Sequence, residues 1–171
     1  MESIVYNPVG IIHTPFTMPK DTPIQPKYAA GSKGRVVVET QYAEGLADLD
    51  GFSHITLVYH LHRSEGYRLK VVPYLDTVER GVFATRAPRR PNAIGISVVV
   101  LERIEGNVLH VANVDMLDGT PLLDIKPYVD AFVGDTPLRS GWIGQAQHDR
   151  ADGRADGRFH EDDDTSTGSG V

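Results

Sequence analysis

Apolar residues along this chain recur mostly at every second position, the spacing of a half-buried β-strand rather than of a helix. Between Ser53 and Leu61, the residues Ile55, Leu57, Tyr59 and Leu61 fall on one face, and Thr56, Val58 and His60 on the other. The same reading predicts strands at Ile4–Tyr6, Val9–Ile12, Arg35–Glu39, Gly81–Thr85, Gly95–Ile104, Val108–Val114 and Leu122–Ile125. Asn7-Pro8 interrupts the first pair, and Gly106-Asn107 and Asp118-Gly119 supply turn dipeptides between later strands. Only Tyr42–Leu49 reads as helical, over about two turns. Short, closely spaced strands with few helices predict a mainly β domain, an antiparallel or mixed barrel. A doubly wound nucleotide-binding sheet is disfavoured, because crossover helices are few and the glycine fingerprint is missing.

Composition narrows the picture. With 171 residues and 40% hydrophobic content, the chain is long enough for one domain with a real core. It has no cysteine, so disulfides, thiolate metal sites and cysteine nucleophiles are excluded. Met1–Gly10 lacks a basic start followed by an apolar stretch, and no apolar run approaches the roughly 18 residues of a membrane span. A cytoplasmic protein without membrane contact is expected. The net charge of −6 is uneven: residues 1–145 carry −2 and residues 146–171 carry −4. The final stretch holds the tandem repeat ADGRADGR, Ala151–Arg158, followed by EDDDTSTGSG. Such sequence buries too little apolar surface to offset its chain entropy. We therefore expect a folded domain over residues 1–146 and a disordered acidic tail over 147–171.

Three segments carry candidate chemistry. GVFATRAPRRPNAIG, Gly81–Gly95, places Arg86, Arg89 and Arg90 on a loop stiffened by Pro88 and Pro91, with no acid among them. Guanidinium forks of this kind suit a carboxylate or phosphate, although a solvated turn paired with surface acids reads equally well. His54, His60 and His62 offer a three-histidine metal set, against the plainer reading of hydrogen-bonded residues along a strand. In the third segment, Asp118-Gly119-Thr120-Pro121 is a turn, and Asp124 and Lys126 share one face of the next strand, as in an ordinary surface hairpin with an ion pair. P-loop, GxSxG and HExxH patterns are all missing.

Five blocks together resemble the TrmO (YaeB) family across about residues 5–130. They are GIIHTPF at Gly10–Phe16, GFSHI at Gly51–Ile55, GVFATR at Gly81–Arg86, RPNAIG at Arg90–Gly95, and DGTP through DIKPY at Asp118–Tyr128. The resemblance implies a small single-sheet β barrel, a homodimer, and S-adenosylmethionine bound near the dimer interface. It implies N6-methylation of threonylcarbamoyladenosine at position 37, in the tRNA anticodon loop. Carried over residue by residue, it places Gln25, Pro26, Lys27, His62, Arg63, Arg86, Ile96, Ser97, Leu117, Asp118, Gly119 and Thr120 around the cofactor. Arg63 departs from the family's usual His-Gln pair. Arg89, Arg90, Asn92, Lys126 and Tyr128 are the expected tRNA contacts, with Arg86 on the methionine carboxylate and Arg90 on a phosphate. Asp118, or the carbonyls of its turn, is the expected catalytic polar group, His54 a buried brace, and no metal is expected. Larger relatives carry a further C-terminal domain where this chain has its acidic tail. A cofactor-binding module without transfer activity, a different methyl acceptor and a histidine-metal enzyme remain the alternatives.

Overall fold

Six strands use the two-residue alternation to wrap one apolar face inward. We describe residues 2–23, 29–74, 76–129 and 139–143 in a computed structural model. Strands β1 (Gly10–His13), β2 (Lys33–Val38), β3 (His54–His60), β6 (Ile94–Glu105), β7 (Val108–Ala112) and β8 (Thr120–Pro127) form a closed barrel in the order β1-β2-β7-β6-β3-β8. Every pairing is antiparallel. The ring closes at β1, where Gly10 pairs with Val38 on one side and Leu122 on the other. Inward positions alternate as the sequence predicts: Ile55, Leu57 and Tyr59 from β3, Val36 and Val38 from β2, Val99 and Leu101 from β6, Leu109 and Val111 from β7. The mainly β barrel is thus what the alternating pattern builds.

Several local expectations are corrected. Tyr42–Leu49 is not an α-helix but two 3₁₀ stretches, Thr40–Leu46 and Leu49–Gly51. Gly45 and the left-handed Asp48 (φ 63°) stop so short a segment from nucleating an α-helix. Ile4–Tyr6 forms no strand and stays exposed, because β8 already occupies the free side of β1. Within Gly81–Thr85 only the first residue pairs: β5 (Arg80–Gly81) lies against β4 (Lys70–Val71), and Val82–Ala84 is a 3₁₀ turn. β7 ends before Val114, because Asn113 turns left-handed at φ 64°, yet Val114 still packs into the core. The expected boundary at residue 147 and the acidic tail lie outside the described residues.

The fold brings one set of strand ends together. The end of β3 and the starts of β6 and β8 meet at one mouth of the barrel. Residues 61–74 and 76–93 fold over that mouth: the Leu61 N–H donates to the Ala93 carbonyl at 2.8 Å, and Ser64 Oγ to the Pro88 carbonyl at 3.0 Å. The Asp118–Thr120 turn hooks onto the first strand there, with Gly119 N–H donating to the Ile12 carbonyl at 3.0 Å and Asp118 N–H to that of Phe16 at 2.7 Å.

Candidate functional site

A cleft of about 280 Å³ opens at this mouth. Its walls are largely apolar, including Pro88, Ile94, Ile96, Met116 and Leu117, and its polar groups include His62, Arg63, Arg86, Asp115 and Thr120. At its floor, Tyr59 lies across from Gly95 in the β3–β6 ladder. A Cβ on Gly95 would overlap the Tyr59 ring, so glycine is required for the close approach. The ring then reaches diagonally to Ser97, two residues along β6.

The contact closes a hydrogen-bond chain. Ser97 Oγ donates to Asp115 Oδ1 at 2.6 Å and lies 3.0 Å from Tyr59 Oη. A serine hydroxyl has one proton, so with Ser97 donating to Asp115, Tyr59 must donate to Ser97. Burial, then the nearby Asp115 charge, raises the Tyr59 pKa and keeps the phenol protonated. Burial pushes Asp115 up to about 6, against the lowering effects of the Ser97 hydrogen bond and the Arg86 charge. Arg86 is anchored by donating to the Ile96 carbonyl. The cleft therefore holds a guanidinium and a carboxylate close to each other, the carboxylate desolvated enough to exchange a proton near neutral pH.

His62, Arg63, Arg86, Ile96, Ser97, Leu117 and Thr120 all line this cleft. Thr120 Oγ1 donates to the Leu117 carbonyl at 2.7 Å and stands 3.4 Å from His62 Nδ1. Burial, followed by the charges of Arg63 and His60, lowers the His62 pKa, so the ring is neutral at pH 7. Gln25, Pro26 and Lys27 lie outside the described residues. Gly119, at φ 73°, takes the left-handed turn position but contributes no surface to the cleft.

Asp118 faces elsewhere. Its carboxylate accepts from Thr14 N–H at 3.0 Å, lies 3.2 Å from His13 Nδ1 and borders a second, open cavity of about 670 Å³. Slight desolvation is outweighed there by the Thr14 and His13 contacts, which leave its pKa lowered. These contacts brace the turn, while the Asp118 charge still acts on His62 at the edge of the cleft.

The expected RNA contacts are scattered. Arg90 Nη1 donates to the Thr85 and Ala87 carbonyls at 3.1 and 3.2 Å, so it ties down its own loop. Arg89 is half-buried and Asn92 exposed beside it. Lys126 pairs with Asp124 at 2.8 Å near the far end of β8. Six residues from Thr120, at roughly 3.3 Å each, put it about 20 Å from the cleft. Tyr128 lies beyond it and packs its ring 6.4 Å from that of His54. His54 is exposed rather than buried and contacts Ser53 Oγ. It stands at the opposite end of β3 from His60, again about 20 Å away, too far to share an ion. Among the described residues no cluster of histidine and carboxylate groups suited to a metal ion is found.

Asp115, Tyr59 and Trp142 are cleft residues that the sequence reading did not single out. Ser97 carried a usable signal for the first two. It is a polar residue in phase with buried Gly95, Val99 and Leu101, and a buried hydroxyl needs partners. Trp142, whose indole N–H donates to the Ala84 carbonyl at 2.8 Å, gave none.

Comparison with known proteins places this geometry. A family model described as the tRNA-methyltransferase O N-terminal domain matches residues 11–133. A probable S-adenosyl-L-methionine-binding protein of Pyrococcus abyssi is 53% identical over 91% of this chain and 85% of its own length. A mouse tRNA (adenine(37)-N6)-methyltransferase is 33% identical over 91% of this chain and 37% of its own. The crystal structure of TrmO from Pseudomonas aeruginosa superposes with a TM-score of 0.68 at 35% identity, covering 82% of this chain and 62% of the other. The chain thus spans less than two thirds of that solved structure.

Proposed function

Because this chain belongs to the tRNA-methyltransferase O family by its residues 11–133, we propose that it methylates tRNA from S-adenosylmethionine, with N6 of threonylcarbamoyladenosine at position 37 as the acceptor. The observation that carries this reading is a cleft in which seven of the twelve positions that the resemblance assigns to the cofactor lie beside a desolvated carboxylate. The residues fit the donor chemically. Arg86 suits the carboxylate of its amino-acid end, and the Pro88, Ile94, Ile96 and Leu117 walls suit a purine. When bound, the sulfonium cofactor supplies an electrophilic methyl group.

The protein's own task is orientation and proton removal. The acceptor nitrogen of a carbamoylated adenosine is urea-like, its lone pair drawn into the carbonyl and the ring. It becomes a nucleophile only as its proton leaves, so a base of near-neutral pKa at the cleft is useful. Asp115 takes that proton, and Ser97, held by Tyr59, fixes the direction of its free lone pairs. Dry walls exclude competing water and align the two reactants. The target base must leave its stack, which a single-stranded loop permits cheaply.

The test is methyl transfer from labelled cofactor to tRNA that either carries or lacks the threonylcarbamoyl group. Label is expected on the carbamoylated adenosine alone; label elsewhere, or none, overturns the substrate. Asp115→Asn should lower turnover by about 10²-fold or more, the usual worth of a general base, while cofactor affinity changes a few-fold at most. Arg86→Ala should instead weaken cofactor binding in calorimetry. A second reading, cofactor binding without transfer, is favoured by the name of the Pyrococcus relative. Tight cofactor binding with no label on any tRNA would identify it. We also propose a homodimer in the cytoplasm. Phe83 and Ile96, 77% and 52% exposed beside the cleft, support pairing, and light scattering of the purified protein tests it.

A further inference from the structure

Among the described residues, most cations of the barrel and its small sheet meet carboxylates: Lys33 with Glu102, Arg103 with Glu105, Lys126 with Asp124, Lys70 with Glu79, Arg80 with Asp76, with Arg35 on β2 an exception. The arginines grouped at and beside the cleft do not. Arg63, Arg68, Arg89 and Arg90 make no ion pair among the described residues, and Arg86 has Asp115 near it without an ion-pair contact. Residues 1–145 carry a net charge of −2, so carboxylates are available to them. Guanidiniums without an ion pair gathered at one mouth of such a domain are the footprint expected of a polyanion.

These arginines divide into two groups. Arg86 and Arg90 are committed inward, to the Ile96 carbonyl and to the Thr85 and Ala87 carbonyls. Arg63 and Arg68 are exposed, and their side chains have no hydrogen-bond partner among the described residues. Their segment runs beside the arginine loop, stitched by Ser64 Oγ to the Pro88 carbonyl and by Arg68 N–H to the Arg89 carbonyl at 3.4 Å. Arg63 lines the cleft, and Arg68 and Arg89, on the two segments stitched together beside it, form a lip just outside. Between the first two, Gly66 turns left-handed at φ 59° and Tyr67 stands 61% exposed. An exposed aromatic ring set between unpaired arginines combines the two elements of single-strand recognition, base stacking and phosphate contact.

We propose that this lip, Arg63 to Arg68 with Arg89 facing it, grips single-stranded RNA, Arg68 on a phosphate beside the target nucleotide and Tyr67 stacked on a neighbouring base. This rests on tRNA being the substrate. It keeps Arg89 among the RNA contacts but moves the rest of the recognition from Lys126 and Tyr128 to Arg63, Tyr67 and Arg68, which had no expected role in it.

The experiment measures tRNA affinity of the full chain at several salt concentrations, with cofactor binding by calorimetry as a control. Arg68→Gln should lower the slope of log affinity against log salt by about 0.7, one single-strand phosphate contact, whichever tRNA is used. Tyr67→Ala should weaken binding about fivefold or more, the lower bound for a lost base stack. Arg68→Lys should restore most of the slope, and both variants should bind cofactor and melt as the wild type does. If wild-type protein binds tRNA and the Tyr67→Ala/Arg68→Gln double variant matches it in affinity and slope, the lip is refuted while the tRNA reading stands. If wild-type protein binds tRNA no better than heparin, the tRNA reading itself fails and the lip with it.

Discussion

Ser97 is the most instructive single residue. A hydroxyl in the inward phase of β6 is costly unless it is satisfied on both sides, and here Tyr59 donates to it while it donates to Asp115. Asp115 keeps part of that cost as a raised pKa. A carboxyl raised from 3.8 in the unfolded chain to about 6 in the fold adds stability only while protonated. Its contribution is full below 3.8 and is lost as pH rises through about 6. Asp115→Asn removes that dependence, so its melting temperature should gain on the wild type's between pH 4 and pH 7; parallel curves would contradict the assignment. Gly95→Ala should cost about 1–3 kcal/mol, the usual range for overpacking, read from urea unfolding. It should also depress transfer, because the displaced Tyr59 ring loses Ser97. At this scale the sequence announced the glycine and the serine, but not which carboxylate would meet them. Asp115 lies three residues before the turn residue Asp118, and only the closed barrel separates the one that faces the cleft from the one that faces His13.

Elements were legible in proportion to their length. β3 and β6 repeat their two-residue period often enough to be recognised, and their buried positions fall where expected. β4 and β5 have two residues each and no period to detect. The 3₁₀ turn at Val82–Ala84 buries only Val82, which alternation mistakes for a strand. The long strands should dominate stability. Leu57, fully buried on β3 between β6 and β8, should cost about 2–5 kcal/mol when cut to alanine. An unfolding midpoint that barely moves would mean that this wall of the barrel is not packed as described.

On the scale of the whole molecule, function depends on which strand ends share a mouth, and a linear sequence does not display that. The block ending in Asp124-Ile125-Lys126-Pro127-Tyr128 reads as one motif, yet β8 carries its start to the cleft and its end to the opposite rim. Residues distant in sequence do the reverse: Arg68 and Arg89 come to lie side by side. Charge partly follows this arrangement among the described residues, with most ion pairs along the walls and arginines without an ion pair grouped at one opening.

The seam at β1 carries a last implication. The four residues Gly10–His13 are zipped to β2 on one flank, and three of them, Gly10–Ile12, to β8 on the other, and an added Cβ at Gly10 would collide with the Val37 carbonyl. Such a clasp has little redundancy. If it were sprung, as in Gly10→Ala, two raw borders of backbone would open together, each a template for a stranger's strand. Heating that variant below its melting point should therefore produce thioflavin-positive aggregates before any loss of secondary structure, so that the clasp's chief service is to keep the protein from recruiting its own neighbours.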